Sequence, residues 1–130
     1  ARVHNSPPTD EFESTAPISR EPAATGGRRI DPDGLPARTH FKVLDRFDDG
    51  TALLAVTPLT GRTNQIRLHL WAANHSIIGD PLYLPDQTFG EQQTLAPTAA
   101  PMCLHAAVLK FTHPVTGEAC RHESTCPRWP

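Results

Sequence analysis

The sequence predicts an α+β fold, in which a bent and mainly antiparallel β-sheet carries one helix on its face. Two observations lead to this prediction. Residues 39–45 and 51–57 are β-rich runs that flank an Asp-Asp-Gly turn at residues 48–50, a pattern typical of a β-hairpin. Residues 63–74 contain neither Gly nor Pro and carry apolar residues at helical spacing, so they predict a helix.

The predicted helix has faces of different chemistry. Its three stripes, one apolar and two polar or cationic, are Ile66, Leu70 and Ala73; Arg67, Trp71 and Asn74; and Gln65 and His69. Thr63 is placed to serve as the N-cap, and Arg62 lies just ahead of the helix. An apolar back and a cationic front are therefore expected, with Arg62 close to the positive end of the helix dipole.

The remaining segments are less regular. Residues 1–39 are rich in proline and predict extended coil with room for one short strand, although this composition alone is also that of a disordered tail. Residues 85–101 are rich in Gln, Thr, Ala and Pro and predict a flexible surface loop. Residues 102–111 predict a strand, 112–117 a turn and 118–122 a partner strand.

Composition limits the classes of function. The 130 residues are enough for one domain, and a net charge of −2 with a pI of about 6.4 provides no general basic surface, so any nucleic acid would bind through a local patch. No apolar run is long enough for a transmembrane helix, and the first residues do not resemble a signal peptide. The three cysteines are an odd number, which does not favour a disulfide framework. A reduced, cytoplasmic protein without membrane contact is expected.

Arg67 poses a specific question about its partner. It lies between apolar Ile66 and Leu68, so its guanidinium is expected to be partly buried and to need an anion. No carboxylate occupies the positions three or four residues away on the helix. The partner must therefore come from elsewhere in the fold or from outside the chain. A solvated helix face without any particular partner is the alternative.

Other chemistries have weaker support. Two Cys-x-His pairs begin at Cys103 and Cys120, and together with Cys126 they raise the alternative of a zinc site. Neither the Cys-x₂-Cys nor the His-x₃-His spacing that is typical of zinc fingers is present, so ordinary cysteines are favoured and no metal site is predicted. Phe41 and Phe111 are expected in the core. The sequence contains no P-loop, dinucleotide-binding glycine motif or nucleophile elbow.

Residues 61–69 (GRTNQIRLH) and 79–83 (GDPLY) resemble two motifs of the RluA-type pseudouridine synthases, G-R-[TS]-H-Q-[IL]-R-x-H and G-D-x-x-Y. Asn64 stands where histidine is usual. Residues 104–106 (LHA) and 111–117 (FTHPVTG) resemble the family's later L-H-A and H-P-x-x-G segments, and residues 37–44 (ARTHFKVL) resemble an earlier one. The order of these motifs is that of the family, and the resemblance extends over the whole chain apart from the 85–101 loop.

This resemblance implies that residues 1–130 are the C-terminal part of one synthase catalytic domain, incomplete on its N-terminal side. Family members isomerise uridine to pseudouridine in structured rRNA or tRNA without a cofactor, and they extrude the target base. Arg67 matches the arginine that pairs with the family's catalytic aspartate. Arg62, Gln65 and His69 would lie near the RNA backbone or support the site.

The chain departs from the family in one respect that determines its chemistry. It contains no R-L-D motif, which carries the covalent aspartate, and the family's stacking tyrosine would fall two residues before Ala1. The chain alone is therefore expected to be inactive and to depend on the missing N-terminal half of the domain. The alternative is a non-catalytic remnant of the fold that binds RNA or a partner protein.

Overall fold

The computed structural model describes residues 1–125, 127 and 129. These residues form two antiparallel sheets and one helix, with elements β1 (Arg2–Val3), β2 (Glu11–Ser14), β3 (Thr39–Arg46), β4 (Ala52–Pro58), α1 (Gln65–Ala72), β5 (Val108–Thr112) and β6 (Ala119–Glu123). The larger sheet has the order β1-β4-β3-β2, and β5 pairs only with β6. The predicted α+β class is confirmed. No helix among the described residues is long and apolar enough to cross a membrane.

The central hairpin is the one that the sequence predicted. Strands β3 and β4 pair antiparallel across a turn in which Gly50 has a φ of 79°, a conformation that glycine adopts without a steric penalty. The register shifts between Val43 and Asp45, so that Leu44 is an extra residue and is 58% exposed. Such a bulge bends a strand and increases its twist.

The N-terminal segment is more ordered than its composition suggests. It contains two strands rather than one, because β1 pairs with β4 and β2 pairs with β3. Between β2 and β3 the chain is mostly irregular, but Ile18 forms isolated bridges with both Ile30 and Leu35. The 19–34 segment is thereby folded back beside the sheet, and this fold-back brings its arginines near the start of α1.

The helix is shorter than predicted, covering Gln65–Ala72 instead of residues 63–74. The expectation that Thr63 caps it is wrong. The N-cap is Asn64, which has a φ of 58° and forms no side-chain capping hydrogen bond. Asparagine and histidine are both enriched in this left-handed region, so Asn64 is compatible with a position where the family usually has histidine.

Two hydrophobic clusters meet at α1. Leu70 packs into the first with Phe41 and Leu54 of the sheet, and Leu68 packs into the second with Leu82 and Tyr83. The predicted apolar stripe is therefore only partly correct. Leu70 is fully buried and Ile66 packs against the first cluster, but Ala73 is exposed, and the buried face also includes Gln65 and His69.

Within the part of the chain that the structure describes, the β5–β6 hairpin forms a separate two-stranded sheet. Its turn and partner strand were predicted, and Gly117 adopts a φ of 74° in the turn, but the first strand begins at Val108 rather than at residue 102. All five residues of β5 are exposed. The expectation of a core position is correct for Phe41, which is 0% exposed, and wrong for Phe111, which is 42% exposed.

Residues 85–101 contain no helix or strand. The start of this segment is nevertheless held in place. Phe89 packs against the rings of Trp71 and Tyr83, with centroids 5.0 and 5.6 Å away, and it bridges to Tyr83 through the backbone. The aromatic group anchors the segment beside α1.

Candidate active site around Arg67

Arg67 finds its partner in the turn that follows the helix. Its Nε and Nη2 donate to the two carboxylate oxygens of Asp80 at 2.7 and 2.6 Å, a two-pronged geometry that fixes the plane of the guanidinium. The Asp80 side chain is fully buried and that of Arg67 is 13% exposed. The first of the two sources foreseen from the sequence, a partner elsewhere in the fold, is therefore the correct one for this contact.

Asp80 is itself fixed by the backbone that follows it. Its Oδ1 also accepts from the N–H groups of Leu82 and Tyr83, at 2.9 and 3.0 Å. One carboxylate thus closes the turn and holds the arginine at the same time. The same bond fixes the backbone of Tyr83 relative to Asp80.

The ring of Tyr83 packs against the guanidinium of Arg67. The Arg67 guanidinium carbon lies 5.1 Å from the centre of the Tyr83 ring, within the range of a cation–π contact. The Tyr83 hydroxyl accepts from the N–H of Arg28 at 2.8 Å and donates to the Arg28 carbonyl at 3.0 Å. Burial raises the pKa of Tyr83, and the hydrogen bonds with Arg28 and Asn64 oppose this rise.

Three of the five N–H donors of Arg67 point at protein atoms. Two of them bond to Asp80, and one on Nη1 makes a long contact of 3.4 Å with the Oδ1 of Asn64. The remaining donors are on the two terminal nitrogens. The arrangement leaves an oriented guanidinium edge that can accept a second anion without moving the side chain.

Gln65 is a structural residue in this geometry. It is 3% exposed and all of its hydrogen-bonding capacity is used. Its Oε1 accepts from the Thr60 hydroxyl and the Arg62 N–H, and its Nε2 donates to the Arg38 carbonyl and the Thr39 hydroxyl, at 2.7 to 3.0 Å. The amide thereby ties the loop before α1 to the edge of β3.

His69 continues this network into the interior. It is 0% exposed, and its Nε2 lies 2.9 Å from the Ala16 carbonyl, which can only accept, so Nε2 carries the proton. Its Nδ1 then accepts from the Thr39 hydroxyl at 2.9 Å, while that hydroxyl accepts from Gln65. Burial lowers the pKa of His69, and the bond to Ala16 opposes this shift.

These contacts separate the four residues predicted for the site. Arg67 and Arg62 are accessible to a ligand, since Arg62 is exposed and its Nε donates to the Pro36 carbonyl at 3.1 Å. Gln65 and His69 are buried, which favours the supporting role and not a direct contact with RNA. The pairing of Arg67 with a catalytic aspartate and the contacts of Arg62, Gln65 and His69 with RNA stay predictions.

Sequence reasoning missed three members of this arrangement: Asp80, Tyr83 and Thr39. The first two lie in a motif that was recognised, but helix spacing could not show that Asp80, 13 residues after Arg67, would reach it. Thr39 was visible only as a strand residue. No local sequence pattern predicts its hydrogen bonds, because its two partners lie 26 and 30 residues further along the chain.

The zinc alternative finds no support in the described part of the chain, where no cluster of three or more His, Cys, Asp or Glu side chains could hold a metal ion. Cys103 is buried beside β1, whereas Cys120 is on β6. Cys126 lies outside the described residues.

Comparison with known proteins identifies the family. Residues 1–72, just over half of the chain, match the model of the RNA pseudouridylate synthases. The chain belongs to this family. The recognition of an RluA-type synthase from the sequence motifs is thereby confirmed, and the motif at residues 61–69 falls within the matched segment.

The synthase relatives are substantially longer than this chain. Ribosomal large subunit pseudouridine synthase C of Escherichia coli is 44% identical over 112 residues, which are 84% of this chain and 34% of that protein. Synthase D of Nitrosomonas europaea is 40% identical over 115 residues, 86% of this chain and 32% of that protein. The dual-specificity RNA pseudouridine synthase RluA of Pasteurella multocida is 44% identical over 85 residues, 65% of this chain and 36% of that protein. The chain spans about one third of the length of these curated relatives.

A solved structure supports the fold independently. The human RNA pseudouridylate synthase domain containing 1 aligns with a TM-score of 0.72 and 23% identity, over 96% of this chain and 52% of that one. At this identity the likeness concerns the fold alone. The synthase fold therefore accommodates nearly every element described above.

Proposed function

We propose that this chain forms the arginine-bearing part of an RNA pseudouridine synthase active site, and that the aspartate acting on the nucleoside comes from polypeptide outside these 130 residues. The proposal rests on the fixed guanidinium of Arg67, which Asp80 holds against the ring of Tyr83 and which keeps N–H donors available for a second anion. Family membership supports it. The absence of an R-L-D motif explains why the aspartate must come from elsewhere.

The reaction requires positioning more than additional reagents. Pseudouridine is the isomer of uridine in which the bond between N1 and C1′ has been broken and a bond between C5 and C1′ has formed, while the C5 hydrogen leaves as a proton and N1 gains one. In this proposal Arg67 orients the incoming aspartate with its free edge. The buried network of Gln65 and His69 keeps the helix that carries Arg67 in register with β3.

The substrate is a structured RNA, and ribosomal RNA is the first to test. Two of the relatives above are named ribosomal large subunit synthases, and a third is named for dual specificity. Transfer RNA, the other substrate that the family resemblance allows, is the second to test. We also propose that the protein acts in the cytoplasm, without a metal or organic cofactor.

The decisive experiment measures release of tritium from RNA that carries it at C5 of uridine. The protein is translated together with the reading frame that precedes Ala1, and the 130-residue chain alone is assayed in parallel. Arg67→Lys keeps the positive charge but loses the two-pronged hydrogen-bonding geometry of the guanidinium. We expect this variant to lower kcat by roughly 100-fold, the cost of removing one preorganised electrostatic contact. Arg46→Lys, at an exposed ion pair with Asp10, is the matched control.

Each arm has an outcome that contradicts the proposal. Tritium release by the chain alone would show that no external aspartate is needed. Full activity of Arg67→Lys would remove Arg67 from the site. If the extended protein is inactive and its preceding frame encodes no R-L-D motif, the non-catalytic remnant becomes the correct interpretation.

A further inference from the structure

The arginines of the chain are distributed unevenly between paired and unpaired positions. Five of them form ion pairs with carboxylates, among them Arg38 and Arg46 on the exposed surface. Four described arginines make no ion pair with any described carboxylate: Arg20, Arg28, Arg29 and Arg62. All four lie in the 19–34 fold-back or in the turn before α1. Glu21, Asp31 and Asp33 lie in the same fold-back, so the region is distinguished by arginines without a carboxylate partner among the described residues and not by its net charge.

A cleft of about 170 Å³ lies between these two segments. Its lining includes Arg20, Arg28 and Arg62 but no carboxylate, and Gly61 and Thr63 form part of the opposite wall. A cavity of this volume is below the usual range for a drug-sized ligand, about 300–1,000 Å³, but large enough for one tetrahedral anion and a few waters. Size and charge therefore both favour a phosphate group.

Backbone carbonyls orient two of the three arginines without neutralising them. The Arg62 Nε donates to the Pro36 carbonyl at 3.1 Å, and the Arg28 Nη1 donates to the Arg20 carbonyl. The Arg28 Nε is buried without a hydrogen-bond partner, which is a costly state for a guanidinium N–H. These are the features of a preorganised anion site whose ligand would complete the pairing.

The cleft is mechanically connected to Arg67. The Tyr83 hydroxyl holds both the N–H and the carbonyl of Arg28, and the ring of the same tyrosine lies beneath the Arg67 guanidinium. On the other side, Arg62 and Thr63 lead directly into the helix that carries Arg67. An anion in the cleft would therefore be held at a fixed position relative to the Arg67 site.

We propose that this cleft binds one phosphodiester of the RNA backbone beside the Arg67 site. The inference rests on the proposed function for the identity of its ligand. Arg20, Arg28 and Arg62 contact the phosphate, and the Tyr83 hydroxyl is a positioning group that acts through Arg28. Base identity is not read here, because a phosphate contact carries no sequence information.

The test uses the variants Arg28→Gln and Arg62→Gln with Arg29→Gln as the matched control. Arg29 is adjacent to Arg28 and equally without an ion pair, but it does not line the cleft. Binding of a labelled RNA stem-loop with a uridine in its loop is measured from low to physiological salt. Each cleft variant should weaken binding about tenfold and reduce the slope of log K against log salt by about one, whereas Arg29→Gln should leave the slope unchanged.

Inorganic phosphate, used as a competitor, distinguishes a backbone site from a site for the free ion. Release of RNA only at phosphate concentrations that act through ionic strength supports the backbone site. Saturable competition by inorganic phosphate, abolished in Arg28→Gln while the RNA salt slope is unchanged, would overturn it in favour of the free ion. An equal loss of the salt slope in Arg29→Gln would also overturn the proposal, because the arginines would then attract RNA through their general electrostatic field and not through a contact in the cleft.

Failure of the cleft can be told apart from failure of the proposed function. In the extended protein, the cleft variants should raise KM and leave kcat unchanged, since a contact made equally in ground and transition states affects binding alone. If Arg67→Lys lowers kcat as expected but the cleft variants keep a normal KM and salt slope, only the cleft is refuted. If the cleft variants lose RNA affinity while Arg67→Lys turns over normally, only the Arg67 assignment is refuted.

Discussion

Replacement of Asp80 by Asn tests the contact that organises the site. The change keeps the shape of the side chain but leaves one acceptor oxygen where there were two. The Oδ1 of Asp80 takes three hydrogen bonds, from Arg67, Leu82 and Tyr83, and the Oδ2 takes the Nε–H of Arg67. The amide oxygen will occupy the position with three donors, so the new NH₂ group must face the Arg67 Nε–H, donor against donor.

The expected cost follows from burial. Removing one partner of a buried ion pair typically costs about 3–5 kcal/mol, because the other charge is left uncompensated. Asp80 is fully buried but Arg67 retains 13% exposure, so water relieves part of the penalty. We therefore expect a loss of about 3 kcal/mol, a large fraction of the stability of a domain of this size.

Urea denaturation with an unchanged m-value measures this loss. Asp10→Asn is the control, because Asp10 pairs with Arg46 but its side chain is 83% exposed, and little change is expected there. Combining Asp80→Asn with Arg67→Met should recover part of the lost stability, since the unpaired charge is then gone. A stability of Asp80→Asn within about 1 kcal/mol of the wild type would refute the reasoning.

Three further outcomes follow from the same geometry. Thr39→Val leaves a Gln65 N–H and the His69 Nδ1 unpaired in the interior and should cost about 2–4 kcal/mol, measured by urea denaturation against Thr9→Val on the exposed surface. Because burial lowers the pKa of His69, the unfolded protein binds a proton at a higher pH than the folded protein does. The free energy of unfolding should therefore fall as the pH decreases below 6.5, by at most about 1.4 kcal/mol per pH unit. In His69→Gln this fall with decreasing pH should be smaller. Among the described residues no third strand pairs with the β5–β6 hairpin, so its amides should exchange with solvent much faster than those of β3 and β4; equal protection would contradict this prediction.

The sequence predicted the elements that depend on local signals. The β3–β4 hairpin follows from an Asp-Gly turn between β-rich runs, and α1 follows from its periodicity and the absence of breakers. The exact start of α1 was not predicted, because Asn64 takes a left-handed backbone conformation and the helix begins only after it and not at Thr63. A local propensity for capping could not reveal this backbone geometry.

Burial was harder to predict than secondary structure. Gln65 and His69 looked like a polar face, but Thr39 and Ala16, distant in sequence, satisfy them inside the fold. The alternation around Phe111 correctly indicated a strand, yet burial needs a second layer, and none covers β5 among the described residues. Tertiary partners decided each of these cases.

The candidate site divides in the same way. Arg67 was singled out from the lack of a helical partner, and the motif at residues 79–83 was recognised, but the pairing of Asp80 with Arg67 emerged only from the fold. The cleft around Arg28 was not foreseen. Its arginines are more than 30 residues from Arg62 in sequence and approach it only because the 19–34 segment folds back.

The central claim is that Arg67 serves a reaction whose aspartate lies outside these 130 residues. The most direct measurement compares tritium release from C5-labelled RNA by four proteins: the chain alone, the chain translated with its preceding frame, and the Arg67→Lys and Arg46→Lys variants of the latter. We expect full turnover by the extended protein and its Arg46→Lys variant, turnover reduced roughly 100-fold in the Arg67→Lys variant, and none by the chain alone. Turnover by the chain alone, or an Arg67→Lys variant as active as its parent, would contradict it.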